Sequence, residues 1–197
     1  MQNKIYIIIK TYIFGPNHGQ FLQAFFLKSF LNSRSFEVRH LINFSPSYLF
    51  VNLYASKRPR YFIKFLKFTI YWLKNFKYTF NKNDDKAIYI IGSDTVWAND
   101  KSVGTPHNKA FFGNQLIKDQ SIFYAISSGK RRRFLKEHLT HINQKLISFR
   151  DILTRELFIN KLSLKNTPSI VLDPVLLGYR TNQEIKKKVS KTLIIYG

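Results

Sequence analysis

The chain has no cysteine, which excludes disulfide bonds, thiol nucleophiles and thiolate metal sites. Its five histidines are scattered along 197 residues, so we expect no bound metal. No apolar run approaches the roughly 18 uncharged residues of a membrane-spanning helix, because lysine interrupts every long aromatic segment. The first apolar run, residues 5–9, is too short for the core of a signal peptide. These absences predict a cytoplasmic protein, either soluble or peripheral to a membrane.

Acidic residues are scarce: 11 Asp and Glu stand against 32 Lys and Arg, a formal charge of +21. The 45% of hydrophobic residues provide one sizeable core and argue against a disordered basic tail. Such a charge can attract an anionic membrane surface, acidic glycans or nucleic acid, and it equally fits solvated helix faces. Nucleic acid is the least supported partner, because no helix-turn-helix, RNP or zinc signature accompanies the charge.

Short runs rich in Ile, Val and Tyr alternate with segments of helical spacing, which is typical of α/β proteins. We therefore expect a Rossmann-like, doubly wound and mostly parallel sheet. The predicted strands are residues 4–9, 36–42, 87–91, 121–126, 147–149 and 169–172. The predicted helices are residues 20–31, 60–80, 131–146 and 151–162.

Two of these helices have a recognisable pattern of faces. In the first, spacing predicts an apolar stripe formed by Leu22, Phe25, Phe26, Ser29 and Phe30. In the second, one face is basic and aromatic, with Arg60, Lys64, Lys67, Tyr71, Lys74 and Tyr78. Apolar residues cover the rest of its circumference, so we expect this helix to be apolar on more than one side.

The domain organisation is predicted from a composition change near the C-terminus. Residues 1–181 form the expected domain, and residues 182–191 are polar, Lys-rich and typical of a linker. Residues 192–197 have the composition of a buried strand entering a turn, and we interpret them as the first strand of a truncated second domain. The alternative is an edge strand added to the only domain. Truncation predicts self-association, or a partner chain that supplies the second domain.

Candidate functional residues lie in the polar loops that follow the predicted strands. The carboxyl ends of strands in a doubly wound sheet meet at one crevice, where ligands bind. The opening turn lies at the same edge and offers backbone N–H groups to an anion, or is simply a tight turn that needs glycine. The residues are Asn17, His18 and Gly19 in that turn, Gly92, Ser93 and Asp94, then Ser127, Ser128 and Gly129, and finally Asp173 and Pro174.

Five segments carry specific motifs. The most specific is Ile91-Gly92-Ser93-Asp94-Thr95-Val96-Trp97, and the others are residues 17–24, 124–129, 148–151 and 171–177. In this order they resemble the motifs iGSDqvW, N-x-G-x-x-L-Q, YAaSfG, svRe and vlDPvfLl of the polysaccharide pyruvyl transferase family. The departures are Thr95, where the family usually has Gln, and Phe21, where a small or aliphatic residue is common.

The resemblance implies a fold similar to the N-terminal domain of two-domain glycosyltransferases of the B type (GT-B). It implies transfer of pyruvate from phosphoenolpyruvate to a sugar of a cell-surface polysaccharide or its lipid-linked precursor, as a ketal. Phosphoenolpyruvate is then the donor substrate, and no cofactor is expected. By the same analogy, much of the donor site lies in a second domain. A lipid-linked acceptor implies a position at the inner face of the cytoplasmic membrane.

This chemistry needs cations and backbone N–H groups for the donor, an acid for its methylene carbon and a base for the sugar hydroxyl. Asp94 is the first candidate for acceptor binding or general-base catalysis, and capping of the following turn is its alternative role. His18 is a candidate for proton exchange near neutral pH, or else a surface turn residue. Asn17, Gly19, Gly92 and Ser93 are candidates for substrate binding.

The remaining candidates have mixed roles. Trp97 either stacks on a sugar or packs beneath its loop, and Arg150 either binds an anion or pairs with Asp151 or Asp173. Ser127 and Gly129 are expected to shape the substrate pocket, since no Ser/His/Asp spacing supports a serine nucleophile. Asp173 and Pro174 are expected to be structural, fixing the strand end and an interdomain turn.

Two other classes of function remain open. One is a non-catalytic basic module that binds glycans or membranes and comes from a truncated gene. The other is a GT-B glycosyltransferase-like enzyme that uses a nucleotide sugar. Donor binding separates them: phosphoenolpyruvate indicates the pyruvyl transferase, a nucleotide sugar indicates the glycosyltransferase, and neither indicates the module.

Overall fold

The computed structural model describes residues 5–14, 17–42, 59–93, 96–97, 111–113, 116, 120–129, 142, 146–162 and 167–181. The predicted helix 131–146, the linker 182–191 and the terminal strand 192–197 lie outside these residues, apart from residues 142 and 146. The described strands are β1 (Tyr6–Lys10), β2 (Glu37–Leu41), β3 (Tyr78–Thr79), β4 (Ala87–Gly92), β5 (Ser121–Ile126), β6 (Ile147–Phe149) and β7 (Ser169–Ile170). The described helices are α1 (His18–Ser33), α2 (Pro59–Asn75), α3 (Ile152–Leu162) and α4 (Pro174–Thr181).

The described strands form one parallel sheet in the order β3-β2-β1-β4-β5-β6-β7. The predicted α/β, doubly wound architecture is therefore confirmed. Since β1 pairs with both β2 and β4, the strand order reverses between β1 and β4. In such sheets the reversal opens a crevice at the carboxyl ends of the two strands.

Apolar side chains cover both faces of the sheet, as parallel strands require. On one face, Leu27 and Leu31 of α1 pack on Ile7 and Ile9 of β1. On the other face, Phe158 of α3 lies in a cluster with residues of β4, β5 and β6. The central strands are consequently buried on both sides, which explains their continuous Ile, Phe and Tyr runs.

Helix α1 forms where the spacing predicts it, but the predicted apolar stripe is not the most buried face of the helix. The buried residues are Gln23, Ala24, Leu27 and Leu31. Leu22 is exposed, and Phe25, Phe26, Ser29 and Phe30 are only half-buried. The reason is that a second helix, α2, packs beside α1: Phe25 lies in the cluster between the two helices, whereas Phe30 packs at the margin of the sheet cluster.

Helix α2 ends five residues earlier than predicted. The chain becomes extended after Asn75, and Tyr78 pairs with His40 to add β3 to the edge of the sheet. Strand pairing thus overrides the helical spacing of residues 76–80. Helix α4 was not predicted, although Asp173-Pro174 followed by three apolar residues is a typical helix start.

Lys10, the last residue of β1, is only 1% exposed. Burial, with a smaller contribution from the nearby Lys82, lowers the pKa of the Lys10 ammonium from 10.5 to about 8. Among the described residues no acidic side chain is recorded against it. The folded protein therefore releases this proton at a lower pH than the unfolded chain.

We expect Lys10→Met to raise the free energy of unfolding at pH 7 by up to about 3 kcal/mol, because methionine is similar to lysine in size and removes the buried charge. The wild type binds fewer protons folded than unfolded above pH 8, so its stability rises as the pH increases from about 8 toward 10.5. Urea unfolding at pH 7 and pH 9 measures both effects, with the exposed Lys86→Met as control. Equal pH dependence in the wild type and Lys10→Met would contradict this account.

Candidate functional site

Backbone pairing between β4 and β5 continues past the ends of both strands. Gly92 has a φ of +128°, and a Cβ at this position would lie 2.4 Å from the Tyr124 carbonyl oxygen. The Ser93 N–H donates to that oxygen at 2.9 Å, and the Trp97 N–H donates to the Ser127 carbonyl at 3.2 Å. Only glycine fits residue 92, because the approach leaves no space for a side chain.

Ser93 is fully buried and has a φ of 64°, in the left-handed region that disfavours a serine. Its Oγ has no hydrogen-bond partner among the described residues. A buried hydroxyl without a partner is uncommon and marks a position where a ligand or water can bind. Asp94, the adjacent candidate for the base, lies outside the described residues.

Trp97 is completely buried, so the structure corrects the interpretation of this ring as a sugar-stacking surface. The indole stacks on Phe112 at 4.7 Å and on Phe158 at 5.7 Å between ring centroids. Its Nε1 donates to the Phe111 carbonyl at 3.0 Å. The alternative role, packing beneath the loop, is the one that these contacts describe.

The turn after β5 is held by its own hydroxyl groups. The Gly129 N–H donates to Ser127 Oγ at 3.2 Å, and Gly129 has a φ of +57°. The Ser128 N–H donates to Thr154 Oγ1 at 2.9 Å and so ties the turn to α3. Ser127 and Gly129 thus fix the shape of this loop at the carboxyl edge of the sheet.

Arg150 and Asp173 form a partly buried ion pair, with Nη1 and Oδ2 separated by 3.1 Å. The predicted pairing of Arg150 with Asp173 is therefore confirmed. An anion that bound Arg150 would have to compete with the Asp173 carboxylate. The same Oδ2 accepts from Gln23 Nε2 at 2.6 Å. Asp173 Oδ1 accepts from the Val175 N–H at 2.9 Å, which caps α4 with Pro174 in its first position. One carboxylate thus joins β6, α1 and α4.

The opening turn is shorter than predicted, since α1 begins at His18 rather than near Gln20. Asn17 caps the helix, and its Oδ1 accepts from the Gly19 N–H at 2.9 Å. His18 is exposed and meets the ring of Phe68 on α2 edge-on, at 4.6 Å between centroids. No described contact brings Asn17, His18 or Gly19 against the loops after β4 and β5.

Three residues that the sequence analysis missed lie near the predicted ones. Lys10 ends β1 and pairs with Ile91 of β4, two residues before Ser93. Gln23 joins Asp173 but leaves its buried Oε1 without a described partner. Tyr124 donates its hydroxyl to the Leu172 carbonyl at 2.9 Å, and burial, then the charge of Asp173, raises its pKa to about 12. A charge or amide inside an apolar run was the available signal for Lys10 and Gln23.

The structure also describes features that do not belong to this edge. A cleft of about 380 Å³ lies at the opposite side of the sheet, between Lys28 of α1 and Lys74 of α2, near Glu37 at the start of β2. Among the described residues, no group of three His, Asp or Glu side chains is placed to hold a metal ion. In the same part of the chain, no helix is both long and apolar enough to cross a membrane.

A family model described as Polysaccharide pyruvyl transferase matches residues 17–197, which is most of the chain. No curated protein and no solved structure matches it. The matched region includes every candidate residue from Asn17 to Pro174, and Lys10 precedes it.

We expect Asp173→Ala to destabilise the fold by about 2 to 3 kcal/mol, because a helix cap, an ion pair and a buried amide contact are lost together. Asp173→Asn keeps a capping oxygen and should lose about 1 kcal/mol. Asp151 is a matched control, since its Oδ1 caps α3 through the Thr154 N–H at 2.7 Å. Urea unfolding measures these differences; the account fails if Asp173→Ala loses no more stability than Asp151→Ala.

Proposed function

This chain belongs to the polysaccharide pyruvyl transferase family, and on that premise we propose that it takes part in transfer of pyruvate from phosphoenolpyruvate to a sugar acceptor. The family match over residues 17–197 is the observation that carries the proposal. The product is a ketal on the hydroxyls of a cell-surface polysaccharide or of its lipid-linked precursor. A lipid-linked acceptor would place the reaction at the inner face of the cytoplasmic membrane.

The proposed site is the carboxyl edge of the sheet, at the strand reversal between β1 and β4. Two features support this position: the buried Ser93 Oγ, which has no partner within the described part of the chain, and the close pairing of Gly92 with Tyr124. Together they fix the start of the loop that carries Asp94. We assign the hydroxyl of the acceptor to this loop, with Asp94 as its base or binding carboxylate.

Lys10 is the cation that we propose this domain contributes to the anionic donor. Its ammonium has no acidic partner among the residues that the structure describes. It therefore gains most from an incoming carboxylate or phosphate, because a buried charge without a counter-ion is costly. Arg150 has a different proposed role, since Asp173 already neutralises it. It holds α4 and α1 against the sheet and so positions the site. A second domain, or a partner chain, would complete the donor site.

The reaction requires protonation of the donor's methylene carbon, attack of sugar hydroxyls on the adjacent carbon and departure of phosphate. His18 is exposed at the N-terminus of α1 and is the proposed proton-exchange group. Asn17 and Gly19 hold the N-terminal end of α1, where backbone N–H groups would bind an anionic group of the donor. The loop at Ser127 and Gly129 forms the far wall of the proposed site.

We expect calorimetry to detect binding of phosphoenolpyruvate, and Lys10→Met to weaken it about tenfold or more while stabilising the fold. With a lipid-linked glycan acceptor, Asp94→Asn should reduce phosphate release by roughly a hundredfold or more and leave donor binding intact. The exposed Asp85→Asn, at the opposite edge, is the matched control. Binding of a nucleotide sugar instead would indicate a glycosyltransferase, and binding of neither donor would indicate a non-catalytic module.

A further inference from the structure

Helix α2 has three distinct faces. Phe65, Phe68 and Trp72 are buried, and the last two pack against the aromatic residues of α1. This face alone accounts for the position of the helix in the fold. The two remaining faces are in contact with solvent, and their composition is not required by any packing described in the structure.

The second face is an exposed apolar stripe. Its side chains retain 40% to 56% of their exposure, which is uncommon for large aliphatic and aromatic residues on a single helix. At 100° per residue they fall within about one third of the helix circumference. The stripe consists of Phe62, Ile63, Leu66, Ile70 and Leu73.

The third face is a basic stripe that lies directly beside the apolar one. It consists of the exposed residues Arg60, Lys64, Lys67, Tyr71 and Lys74. No acidic residue lies on α2, and none occurs in the sequence between Glu37 and Asp84. The positive charge along this helix is therefore not neutralised by neighbours in sequence.

We infer that α2 docks this protein onto an anionic lipid bilayer, with the apolar stripe at the acyl boundary and the basic stripe among the headgroups. A helix that combines a charged face with large apolar residues lies in the plane of a membrane interface. The 17 residues of α2 extend for roughly 25 Å, which is long enough for both stripes to contact a bilayer surface along several helical turns. The inference does not depend on the proposed reaction.

Charge distinguishes the bilayer from a second copy of the chain. A copy that covered the apolar stripe would bring its own basic stripe alongside, and each chain already carries a formal charge of +21. Like charges at an interface oppose association. Anionic lipids instead offer opposite charge next to an apolar phase, which complements both stripes at once.

The test is co-sedimentation of the full chain with vesicles of phosphatidylglycerol and phosphatidylcholine, compared with phosphatidylcholine alone. We expect binding to the anionic vesicles and little to the neutral ones. Replacing the apolar stripe with Leu66→Gln and Ile70→Gln should weaken binding at least tenfold without changing charge. Replacing the basic stripe with Lys64→Gln and Lys67→Gln should weaken it to a similar extent and reduce its salt dependence.

Matched controls lie on other elements. Ile152 and Leu153 on α3 are 57% and 56% exposed, so Ile152→Gln with Leu153→Gln removes at least as much apolar surface elsewhere. Lys86→Gln and Arg34→Gln remove exposed charge away from α2. The controls should bind as the wild type does, and thermal unfolding should show that all variants remain folded.

Three outcomes would overturn the inference. In the first, the wild type does not bind anionic vesicles. In the second, the Leu66 and Ile70 variant binds as well as the Ile152 and Leu153 control, which would indicate a diffuse charge effect. In the third outcome, light scattering without lipid shows a dimer that only the Leu66 and Ile70 variant dissociates, which would assign the stripe to a second copy.

Discussion

The carboxyl edge of the sheet depends on the close approach of the Gly92 backbone to the Tyr124 carbonyl oxygen. A Cβ at residue 92 would lie 2.4 Å from that oxygen. Because glycine has no Cβ, β4 and β5 can remain paired one residue beyond the end of β4. The next hydrogen bonds, from Ser93 to Tyr124 and from Trp97 to Ser127, depend on it. They hold Trp97 in the buried cluster that forms the core on this face of the sheet. Buried contacts therefore anchor the chain at Ser93 and at Trp97, on either side of the proposed base in the sequence.

A second junction, centred on Asp173, links this edge to the helices. Its carboxylate binds Arg150 at the end of β6, the amide of Gln23 on α1 and the first turn of α4. Because the ion pair is partly buried, removing one partner leaves the other partner's charge poorly solvated. The junction gives residues that are distant in sequence a fixed geometry, which a site at the carboxyl edge of a sheet requires.

Much of the sheet could be predicted because strands buried on both faces have continuous apolar sequences, as in residues 87–91 and 121–126. The motif around Gly92 likewise indicated where the chain must turn. The sequence could not show which side of an aromatic helix is buried, because that depends on the neighbouring helix. For this reason the stripe on α1 was misplaced, and Trp97 was assigned two roles between which only its packing on Phe112 and Phe158 decides. The choice of Asp173 as the partner of Arg150 and the burial of Lys10 likewise depend on tertiary contacts.

The central claim is that substrate binds at the strand reversal between β1 and β4. The most direct test is backbone hydrogen exchange of the full chain with and without phosphoenolpyruvate. The account predicts slower exchange in peptides that cover residues 17–23 and 91–97. Protection instead at residues 28–37 and 74–77, around the cleft at the opposite side of the sheet, would contradict it, as would unchanged exchange throughout at saturating donor.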